Sequence, residues 1–371
     1  MKLVIAGGHL SPLLAVVDAL SVNDSVLVVG RKHGFEGDSA ISLEHQTLFD
    51  KNISFKSIST GRWQRRFTSH TFTSLLKLPY GFFQAFLILK EFAPDVVLSF
   101  GGYIGLPVTL ASFLLRIPVV IHEQTQEAGI ANRIASIWAR KVCISWENSG
   151  RFFPKSKTVF TGNPIRKFSI SNLQARRAKL CVFPISNERL PLIYITGGSA
   201  GSHAINLLVE ECLERLLQKY RVIHQTGDAQ KYRDFYRLQK LKDSLDKTLK
   251  ARYHLTKFVK PEDVGSIFSR ADLVVSRSGI NTVIELLFFE KPSLLIPLTF
   301  SADNEQLKNA LFLKEAGLAE VAPQDGFNSV TLCELIVLMI RNKNKYKTSQ
   351  NYKDMVREDA AGRIADILQA I

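Results

Sequence analysis

Cysteine is scarce in this 371-residue sequence, and its pattern fits no metal or disulfide scaffold. The four cysteines, Cys143, Cys181, Cys212 and Cys333, lie far apart, with no C-x-x-C pair and no histidine at zinc-ligand spacing. Small stapled domains and zinc modules are therefore excluded, and free thiols indicate a reducing, cytosolic environment.

Long apolar runs are missing as well. Residues 3–6 supply only four apolar side chains before the glycine pair Gly7-Gly8, too few for the core of a signal peptide. The longest near-apolar stretch, 106–121, is interrupted by Arg116 and contains two prolines. It falls short of the ~20 residues that a spanning helix needs. We therefore expect a protein that is neither exported nor inserted across a membrane.

Acidic residues are outnumbered: 48 Lys and Arg stand against 34 Asp and Glu, which gives a formal net charge of +14. An excess of this size favours an anionic partner, such as nucleic acid, a phosphate-bearing ligand or an anionic lipid surface. The apolar share of 46% is that of an ordinary globular protein, and the length favours two domains.

Short aliphatic runs alternate with helical patterns, first in the amino-terminal half and again after residue 190. The predicted strands are 2–6, 25–30, 95–100, 118–121 and 141–145 in the first half, and 192–196, 221–226, 254–258, 273–276 and 293–298 in the second. Strands that are apolar on both faces and alternate with helices are typical of parallel sheets. The sequence thus predicts an α/β protein with two doubly wound, Rossmann-like domains. Residues 167–189 have the composition of a linker, and 228–250 that of a charged surface helix.

Residues 51–90 combine cations with aromatics. They include seven Lys or Arg and no Asp or Glu, and apolar residues from 75 to 89 cover almost every face of a helix. A buried helix with a basic rim is the structural alternative. The charge favours docking on an anionic leaflet, where each cation contributes ~1 kcal/mol, whereas no nucleic-acid-binding motif accompanies the segment. The residues that we expect to contact the membrane are Arg65, Arg66, Lys77, Phe82, Phe83 and Phe86.

In the second half, the residues after three predicted strands indicate a phosphate-bearing ligand. Thr196-Gly197-Gly198-Ser199 opens a helix, where backbone N–H groups and the positive helix end can bind an anion such as a diphosphate, although a tight turn alone also selects glycine. Arg277-Ser278-Gly279 precedes a helix with Glu285, a carboxylate suited to a ribose diol or to a neighbouring Arg. Asp303-Asn304-Glu305-Gln306 follows the third strand. Polar residues at the carboxyl ends of parallel strands predict a ligand crevice.

Three turns of the first half lie on the corresponding edge of its predicted sheet: Gly8-His9, Gly101-Gly102-Tyr103 and His122-Glu123-Gln124. A lone histidine there is often structural, but we expect His9 to be exposed with a pKa near neutral, which suits a general base. Gly162-Asn163-Pro164-Ile165-Arg166 falls near the predicted hinge, where the Arg166 guanidinium can contact phosphate with two nitrogens. Because the sequence has no Asp-x-Asp pair, we expect no metal beside a diphosphate and no other cofactor.

Together these motifs resemble the MurG family, two-domain GT-B glycosyltransferases that make lipid II in peptidoglycan synthesis. The likeness extends over nearly the whole chain, and it is the set of motifs that is specific. The motifs are Gly7-Gly8-His9 with Pro12, Gly101-Gly102-Tyr103, His122-Glu123-Gln124, Gly162 to Arg166, Gly197-Gly198-Ser199, Arg277-Ser278-Gly279 with Glu285, and Glu305-Gln306 with Asn309-Ala310.

The resemblance implies an inverting enzyme that moves N-acetylglucosamine from UDP-N-acetylglucosamine (UDP-GlcNAc) to the C4 hydroxyl of the N-acetylmuramic acid (MurNAc) in an undecaprenyl-linked lipid acceptor, lipid I. It implies an acceptor and membrane-docking domain over 1–165, a donor domain over 166–349 that faces it across a cleft, and a final helix, 350–371, that packs back on the first domain. The implied location is peripheral, on the anionic inner leaflet at the cytoplasmic face of the cell membrane.

The resemblance also implies roles for individual residues. The donor-binding residues would be Arg166, Gly198, Ser199, Glu285, Glu305, Gln306 and Thr125. The acceptor-side residues would be Gly8, Gly102, Tyr103 and Glu123, with His9 as the catalytic base or as a ligand of the acceptor phosphate.

The sequence departs from the family pattern twice. His9 directly follows Gly7-Gly8, where the family sequence is Gly-Gly-Thr-Gly-Gly-His, so this loop is three residues shorter. Thr125 occupies the position at which the family has Asn. These departures leave three alternatives: transfer to another lipid acceptor such as a diacylglycerol, a non-catalytic relative that binds the lipid carrier or a UDP-sugar, and a UDP-sugar epimerase on the same scaffold.

Overall fold

The computed structural model describes residues 1–33, 41–61, 69–166, 189–299, 304–353 and 355–371, with the backbone alone for 69–76, 350 and 353. Four features of the sequence analysis lie wholly or almost wholly outside these residues: Arg65, Arg66, Cys181 and the predicted linker 167–189.

Parallel strands and helices alternate along the described chain. The strands are β1 (Lys2–Ala6), β2 (Ser25–Gly30), β3 (Ser54–Ser57), β4 (Val96–Ser99), β5 (Val119–Glu123), β6 (Lys141–Ile144), β7 (Thr158–Phe160), β8 (Leu192–Thr196), β9 (Arg221–Gln225), β10 (Tyr253–Thr256), β11 (Leu273–Ser276), β12 (Ser293–Leu295) and β13 (Ala319–Val321). The helices are α1 (Leu10–Val17), α2 (Leu43–Asp50), α3 (Ser69–Phe92), α4 (Gly102–Leu114), α5 (Ile130–Ala135), α6 (His203–Leu217), α7 (Asp234–Ser244), α8 (Lys247–Arg252), α9 (Pro261–Arg270), α10 (Ile280–Phe288), α11 (Glu305–Glu315), α12 (Ser329–Arg341), α13 (Gln350–Lys353) and α14 (Ala360–Gln369).

The described residues divide into two compact units. The first unit consists of 1–33, 44–166 and 357–371, and the second of 41–43, 189–299, 304–353 and 355–356. Each unit has its own parallel sheet. Within the described chain, the strand order is β3-β2-β1-β4-β5-β6-β7 in the first unit and β10-β9-β8-β11-β12-β13 in the second.

The first sheet is covered on both faces because its central strands are apolar at most positions. Along β1, Val4 joins the core cluster under α3 and α4, whereas Leu3 and Ile5 join the cluster under α1 and α14. Successive side chains of a strand point to opposite faces, so an uninterrupted apolar run requires helices on both sides. The last helix, α14, contributes Ile364 and Leu368 to the first unit's core.

The second sheet is built in the same way. Ile193 and Ile195 on β8 pack with Ile205 of α6 and Ile336 of α12 in one buried cluster. The helix α6 begins after Ser202, whose hydroxyl accepts a hydrogen bond from the N–H of Ile205. A serine at this position satisfies one of the N–H groups that the first turn of a helix leaves open.

Within each sheet, the carboxyl ends of neighbouring central strands lie next to one another. Ala6 pairs with Val29 and Ser99 in the first sheet, and Thr196 pairs with Gln225 and Ser276 in the second. The residues that follow these strands therefore lie along one edge, as the sequence analysis predicts.

The structure confirms the predicted fold class, with two differences in detail. The predicted charged helix over 228–250 is two helices, α7 and α8, because Asp246 caps a new helix by accepting from the N–H groups of Thr248 and Leu249. Strands β3, β7 and β13 are absent from the prediction because they are short and partly exposed rather than buried throughout. Among the described helices, none combines the length and the apolar content required to span a bilayer.

Candidate active site

The turn after β8 has backbone geometry that only glycine tolerates. Gly198 has a φ of +81°, and a Cβ on Gly197 would lie 2.2 Å from the Ser202 nitrogen. The N–H of Gly198 donates to the Thr196 hydroxyl at 3.0 Å, so Gly198 serves the turn through its conformation. The next residue, Ser199, is exposed at the tip of the turn. Residues 197–202 are called the glycine turn below.

Gln225, the last residue of β9, holds the glycine turn from the neighbouring strand. Its Nε2 donates to the Gly198 carbonyl at 2.9 Å. Its Oε1 accepts from the Tyr194 hydroxyl at 3.0 Å and from the Val259 N–H at 3.2 Å. One buried amide thus connects the turn to β8 and to the segment after β10.

Behind Gln225, a buried chain of hydrogen bonds runs through Asn206 and His224. Asn206 Nδ2 donates to the Thr226 carbonyl at 3.1 Å and to Asp234 Oδ2 at 2.8 Å, so its Oδ1 must face His224 Nε2, 3.0 Å away. His224 Nε2 therefore carries a hydrogen, and Nδ1 accepts from the Tyr253 hydroxyl at 3.0 Å. Burial lowers the pKa of His224 to about 3, so the imidazole is neutral at pH 7. A neutral imidazole is what these hydrogen bonds require, because Nδ1 has to accept.

Arg277, at the end of β11, joins two loops of the second unit. Its Nε donates to the Ser202 hydroxyl at 3.0 Å, and its terminal nitrogens donate to the carbonyls of Ile296 and Pro297 and to Gln324. Burial lowers the pKa of Arg277 to about 10, still well above neutral, so it stays charged. Because its guanidinium nitrogens donate to groups of the protein, Arg277 stabilises the position of the glycine turn.

The Ser278 and Gln306 loops are also linked. The Ser278 hydroxyl donates to the Gln306 carbonyl at 2.7 Å, and Gln306 Oε1 accepts from the Leu298 N–H at 3.0 Å. Glu305 is half-buried at the start of α11, and Glu285 is 7% exposed on α10. Arg277 thus contacts the glycine turn directly, whereas Ser278 and Gln306 contact each other.

In the first unit, the turn after β1 is shaped by Gly7 and His9. Gly7 has a φ of +129°, and a Cβ there would lie 3.1 Å from the Phe100 Cβ. His9 is half-buried and immediately precedes α1. The expected near-neutral pKa is wrong: burial, with a smaller contribution from Arg31, lowers the pKa of His9 to about 4.

The carboxylate of Glu123 accepts hydrogen bonds from nearby residues of the first unit. Its Oε1 accepts from the Thr125 N–H at 3.0 Å and from the Thr125 hydroxyl at 2.6 Å. Its Oε2 accepts from the Gly129 N–H at 3.0 Å and from Asn132 Nδ2 at 2.9 Å. Glu123 therefore shapes the loop after β5, and Thr125 is held in the first unit by the same carboxylate.

The turns after β4 and β5 lie at the same edge of the first sheet as the turn after β1. Gly101 and Gly102 have φ values of +78° and +72°, and Tyr103 packs against the buried core. His122 is fully buried, its Nε2 lies 3.2 Å from the Gly162 carbonyl, and burial lowers its pKa to about 4. Arg166 is half-buried and belongs to the first unit.

The predicted membrane residues on α3 differ in exposure. Phe83 is 58% exposed and Lys77 is also exposed, whereas Phe82 and Phe86 pack against the core. Exposed apolar side chains continue onto α4 and α5, which the sequence analysis missed because α4 is apolar almost throughout and α5 has only six residues. They are Leu110, Phe113, Leu114, Ile130, Ile134 and, just after α5, Ile137.

No three His, Cys, Asp or Glu side chains within the described ranges are placed to hold a metal ion.

Sequence comparison matches both halves of the chain to one family. The glycosyltransferase family 28 N-terminal domain matches residues 6–144, and the glycosyltransferase family 28 C-terminal domain matches residues 192–364. A Clostridium novyi protein named UDP-N-acetylglucosamine--N-acetylmuramyl-(pentapeptide) pyrophosphoryl-undecaprenol N-acetylglucosamine transferase is 31% identical over 93% of this chain and 91% of its own length. A Clostridium perfringens protein of the same name is 32% identical over 98% and 95%. The chain belongs to the MurG family.

Solved structures agree with this assignment. Acinetobacter baumannii MurG is 26% identical and aligns with a TM-score of 0.64 over 100% of this chain and 99% of its own. A Staphylococcus aureus MnaA–UDP structure has a TM-score of 0.66 over 100% and 96% of the two chains, but at 16% identity it shows a common fold only. MurG-family members are glycosyltransferases, which confirms the predicted enzyme class.

Sequence reasoning missed Gln225, Asn206 and His224. Gln225 acts on a turn that is distant in sequence, and Asn206 and His224 contact each other across two elements, so their roles depend on the fold. The only sequence signal was their polarity: each interrupts an otherwise apolar strand or helix face.

Proposed function

We propose that this protein transfers GlcNAc from UDP-GlcNAc to the C4 hydroxyl of MurNAc in lipid I and thereby forms lipid II. The observation that carries the proposal is end-to-end similarity, above 30% identity, to relatives named for this reaction. Donor binding belongs to the second unit, with Ser199 and the glycine turn near the diphosphate, Glu285 near the ribose, and Glu305 with Gln306 near the sugar. The family resemblance adds Arg166 as a cation for the diphosphate.

The chemistry is a single inverting displacement. The acceptor O4 forms a bond to the anomeric carbon, the bond from that carbon to the UDP oxygen breaks, and the O4 proton is released. The first N–H groups of α6 and the glycine turn stabilise the departing diphosphate by fixed dipoles. His9 is neutral at pH 7 because of its lowered pKa, so an imidazole nitrogen can accept a hydrogen bond or the released proton.

The acceptor binds to the first unit, along the edge formed by Gly8, Gly102 and Tyr103. Glu123 contributes by shaping the loop after β5, since it accepts three hydrogen bonds from that loop and one from Asn132 on α5. Thr125, expected on the donor side, contributes to the same loop through its contact with Glu123.

The first unit docks on the cytoplasmic face of the cell membrane through the exposed apolar residues of α3, α4 and α5. Phe83, Phe113 and Ile137 are 58%, 54% and 71% exposed. Exposed cations lie on or next to the same helices, among them Lys77, Arg116 and Arg140. Apolar side chains that enter the leaflet and cations that attract anionic headgroups together support reversible attachment.

The proposal is tested by acceptor competition with purified protein and labelled UDP-GlcNAc. Lipid I should be the preferred acceptor over diacylglycerol, and Glu285→Ala should abolish transfer. If diacylglycerol is the preferred acceptor, the natural acceptor is a lipid other than lipid I. If transfer by the wild type is no faster than transfer by Glu285→Ala, the protein is a non-catalytic binding protein.

A further inference from the structure

Glu44, on the first turn of α2, is a buried carboxyl group of which one oxygen, Oε1, has no hydrogen-bond partner. Its side chain is 6% exposed, and Oε1 is enclosed with no donor in reach. Buried polar atoms in folded proteins almost always have partners, and an exception is a candidate for a ligand contact.

The Glu44 carboxyl lies beside the ends of β1 and β2. Its Oε2 is 3.8 Å from the position that a Cβ would occupy on Gly8, and its Oε1 is 3.0 Å from the corresponding position on Gly30. Gly8 and the adjacent His9 form the turn after β1, which the proposed function assigns to the acceptor. A second buried atom at this edge, Nδ1 of His122, also lacks a partner.

The surroundings favour the neutral form of this carboxyl. Burial raises the pKa of Glu44 to about 7, and the nearby positive charge of Arg31 offsets only part of that effect. His9 and His122 are neutral above pH 6, because burial lowers the pKa of each to about 4. A neutral carboxyl can donate its O–H to an anion, whereas a carboxylate would repel one.

The described elements around Glu44 contribute few other charges. The turn after β1 contributes His9, the end of β2 contributes Arg31, and β3 contributes the uncharged ring of Phe55. On α2 itself, His45 is adjacent, with its ring edge-on to Phe55 at a centroid distance of 5.0 Å.

We infer that Glu44 is an acceptor-binding residue whose neutral carboxyl donates a hydrogen bond to an anionic oxygen of the acceptor diphosphate. The inference rests on the proposed function, because that function supplies a diphosphate-linked acceptor. It adds a contact that the shortened glycine loop of this chain does not provide.

Such a contact makes acceptor binding dependent on the proton of Glu44. Below pH 7 the carboxyl is mostly neutral, and the acceptor KM should be constant. Above pH 7 the free enzyme loses that proton, so the acceptor KM should rise by up to about tenfold per pH unit until the proton is lost from the complex as well. The KM of the UDP-sugar should not follow this curve.

The test compares the wild type with Glu44→Gln, Glu44→Leu and, as the matched control for the adjacent imidazole, His45→Gln. Initial rates are measured from pH 6 to pH 9 with lipid I and UDP-GlcNAc. We expect Glu44→Gln, which keeps a donor but cannot ionise, to have a low acceptor KM that is flat with pH. Glu44→Leu should have a KM raised about tenfold and flat, and His45→Gln should follow the wild type.

Two results would overturn the inference: a pH dependence of acceptor KM in Glu44→Gln that matches the wild type, or a donor KM that changes as much as the acceptor KM. If Glu44→Leu does not fold, the inference is still tested by comparing the pH dependence of the acceptor KM in Glu44→Gln with that in the wild type. If the wild type transfers no GlcNAc at any pH, the proposed function fails, and equilibrium binding of undecaprenyl pyrophosphate in detergent, over the same pH range and proteins, tests Glu44 separately.

Discussion

Gln225 Nε2 donates a hydrogen bond to the Gly198 carbonyl over 2.9 Å, which ties the end of β9 to the glycine turn after β8. Because the same amide also accepts from Tyr194 and Val259, its orientation is fixed from three sides. The turn is thus held in position before any ligand arrives, and preorganised donors are what stabilise a developing negative charge.

Replacing Gln225 by Leu should weaken UDP binding about tenfold or more. The substitution removes the hydrogen bonds of Gln225 to the Gly198 carbonyl and from the Val259 N–H, at about 1–3 kcal/mol for a buried group that loses its partner. Tyr194→Phe is the matched control, because it removes one bond to the same amide and leaves the bond to Gly198. Calorimetric UDP titrations check this, and equal affinities of Gln225→Leu and the wild type would contradict the role given to Gln225.

Gly201→Ala should destabilise the protein much more than Gly326→Ala. Both glycines have a φ of +76°, but a Cβ on Gly201 would lie 2.0 Å from the Thr226 carbonyl oxygen, whereas nothing lies within 4 Å of one on Gly326. The strain of about 1–2 kcal/mol from a positive φ is common to both. The difference between their thermal midpoints therefore measures the close approach of the glycine turn to Thr226, the residue after β9. Equal midpoints would show that the turn can shift to accommodate the added methyl group.

The sequence predicts the strands best where they are apolar on both faces, as in β1, β2, β8 and β11, whose observed bounds match the predicted ones. It predicts edge strands worst, since β3 and β7 are short and half exposed. The glycine turns were likewise recognisable, because their positive φ values require glycine.

Residues that act through tertiary contacts were not recognisable. Gln225 is one polar residue at a strand end, and its importance depends on Gly198, which is distant in sequence. Glu44 lies in a polar helix, and only the fold brings its carboxyl beside Gly8 and leaves its Oε1 without a partner. The pKa of His9 was misjudged for the same reason: burial and Arg31 determine it, not the turn in which it lies.

Stability should fall as the pH decreases, in part because of His224. Its pKa is about 3 in the folded protein and ~6.5 in an unfolded chain, so between these values only the unfolded chain takes up the proton. Its contribution is complete above pH 6.5 and is lost towards pH 3, at up to about 1.4 kcal/mol per pH unit. His224→Gln should lower the thermal midpoint at pH 7 and flatten its decline from pH 6.5 to pH 4.

The matched control for His224 is the exposed His33. His33→Gln should leave the pH dependence of the thermal midpoint close to that of the wild type. If His224→Gln declines as steeply as the wild type, another group causes the acid sensitivity.

Binding to anionic vesicles should depend on Phe113 and Ile137. Both are more than half exposed, so Phe113→Ser with Ile137→Ser should leave the core intact while reducing apolar contact with the leaflet. Val330→Ser is the matched control, because Val330 is 52% exposed in the second unit. Co-sedimentation should show at least about a tenfold loss for the double variant and none for the control, and equal losses would place the docking surface elsewhere.

The most direct test of the central claim is transfer of radiolabelled GlcNAc from UDP-GlcNAc to purified lipid I, with release of UDP measured in the same reaction. The proposed function predicts that label enters the lipid in equal amount to the UDP released, and that neither occurs without lipid I. Label that stays on the nucleotide, or that appears as free or epimerised sugar in the absence of lipid, would contradict it.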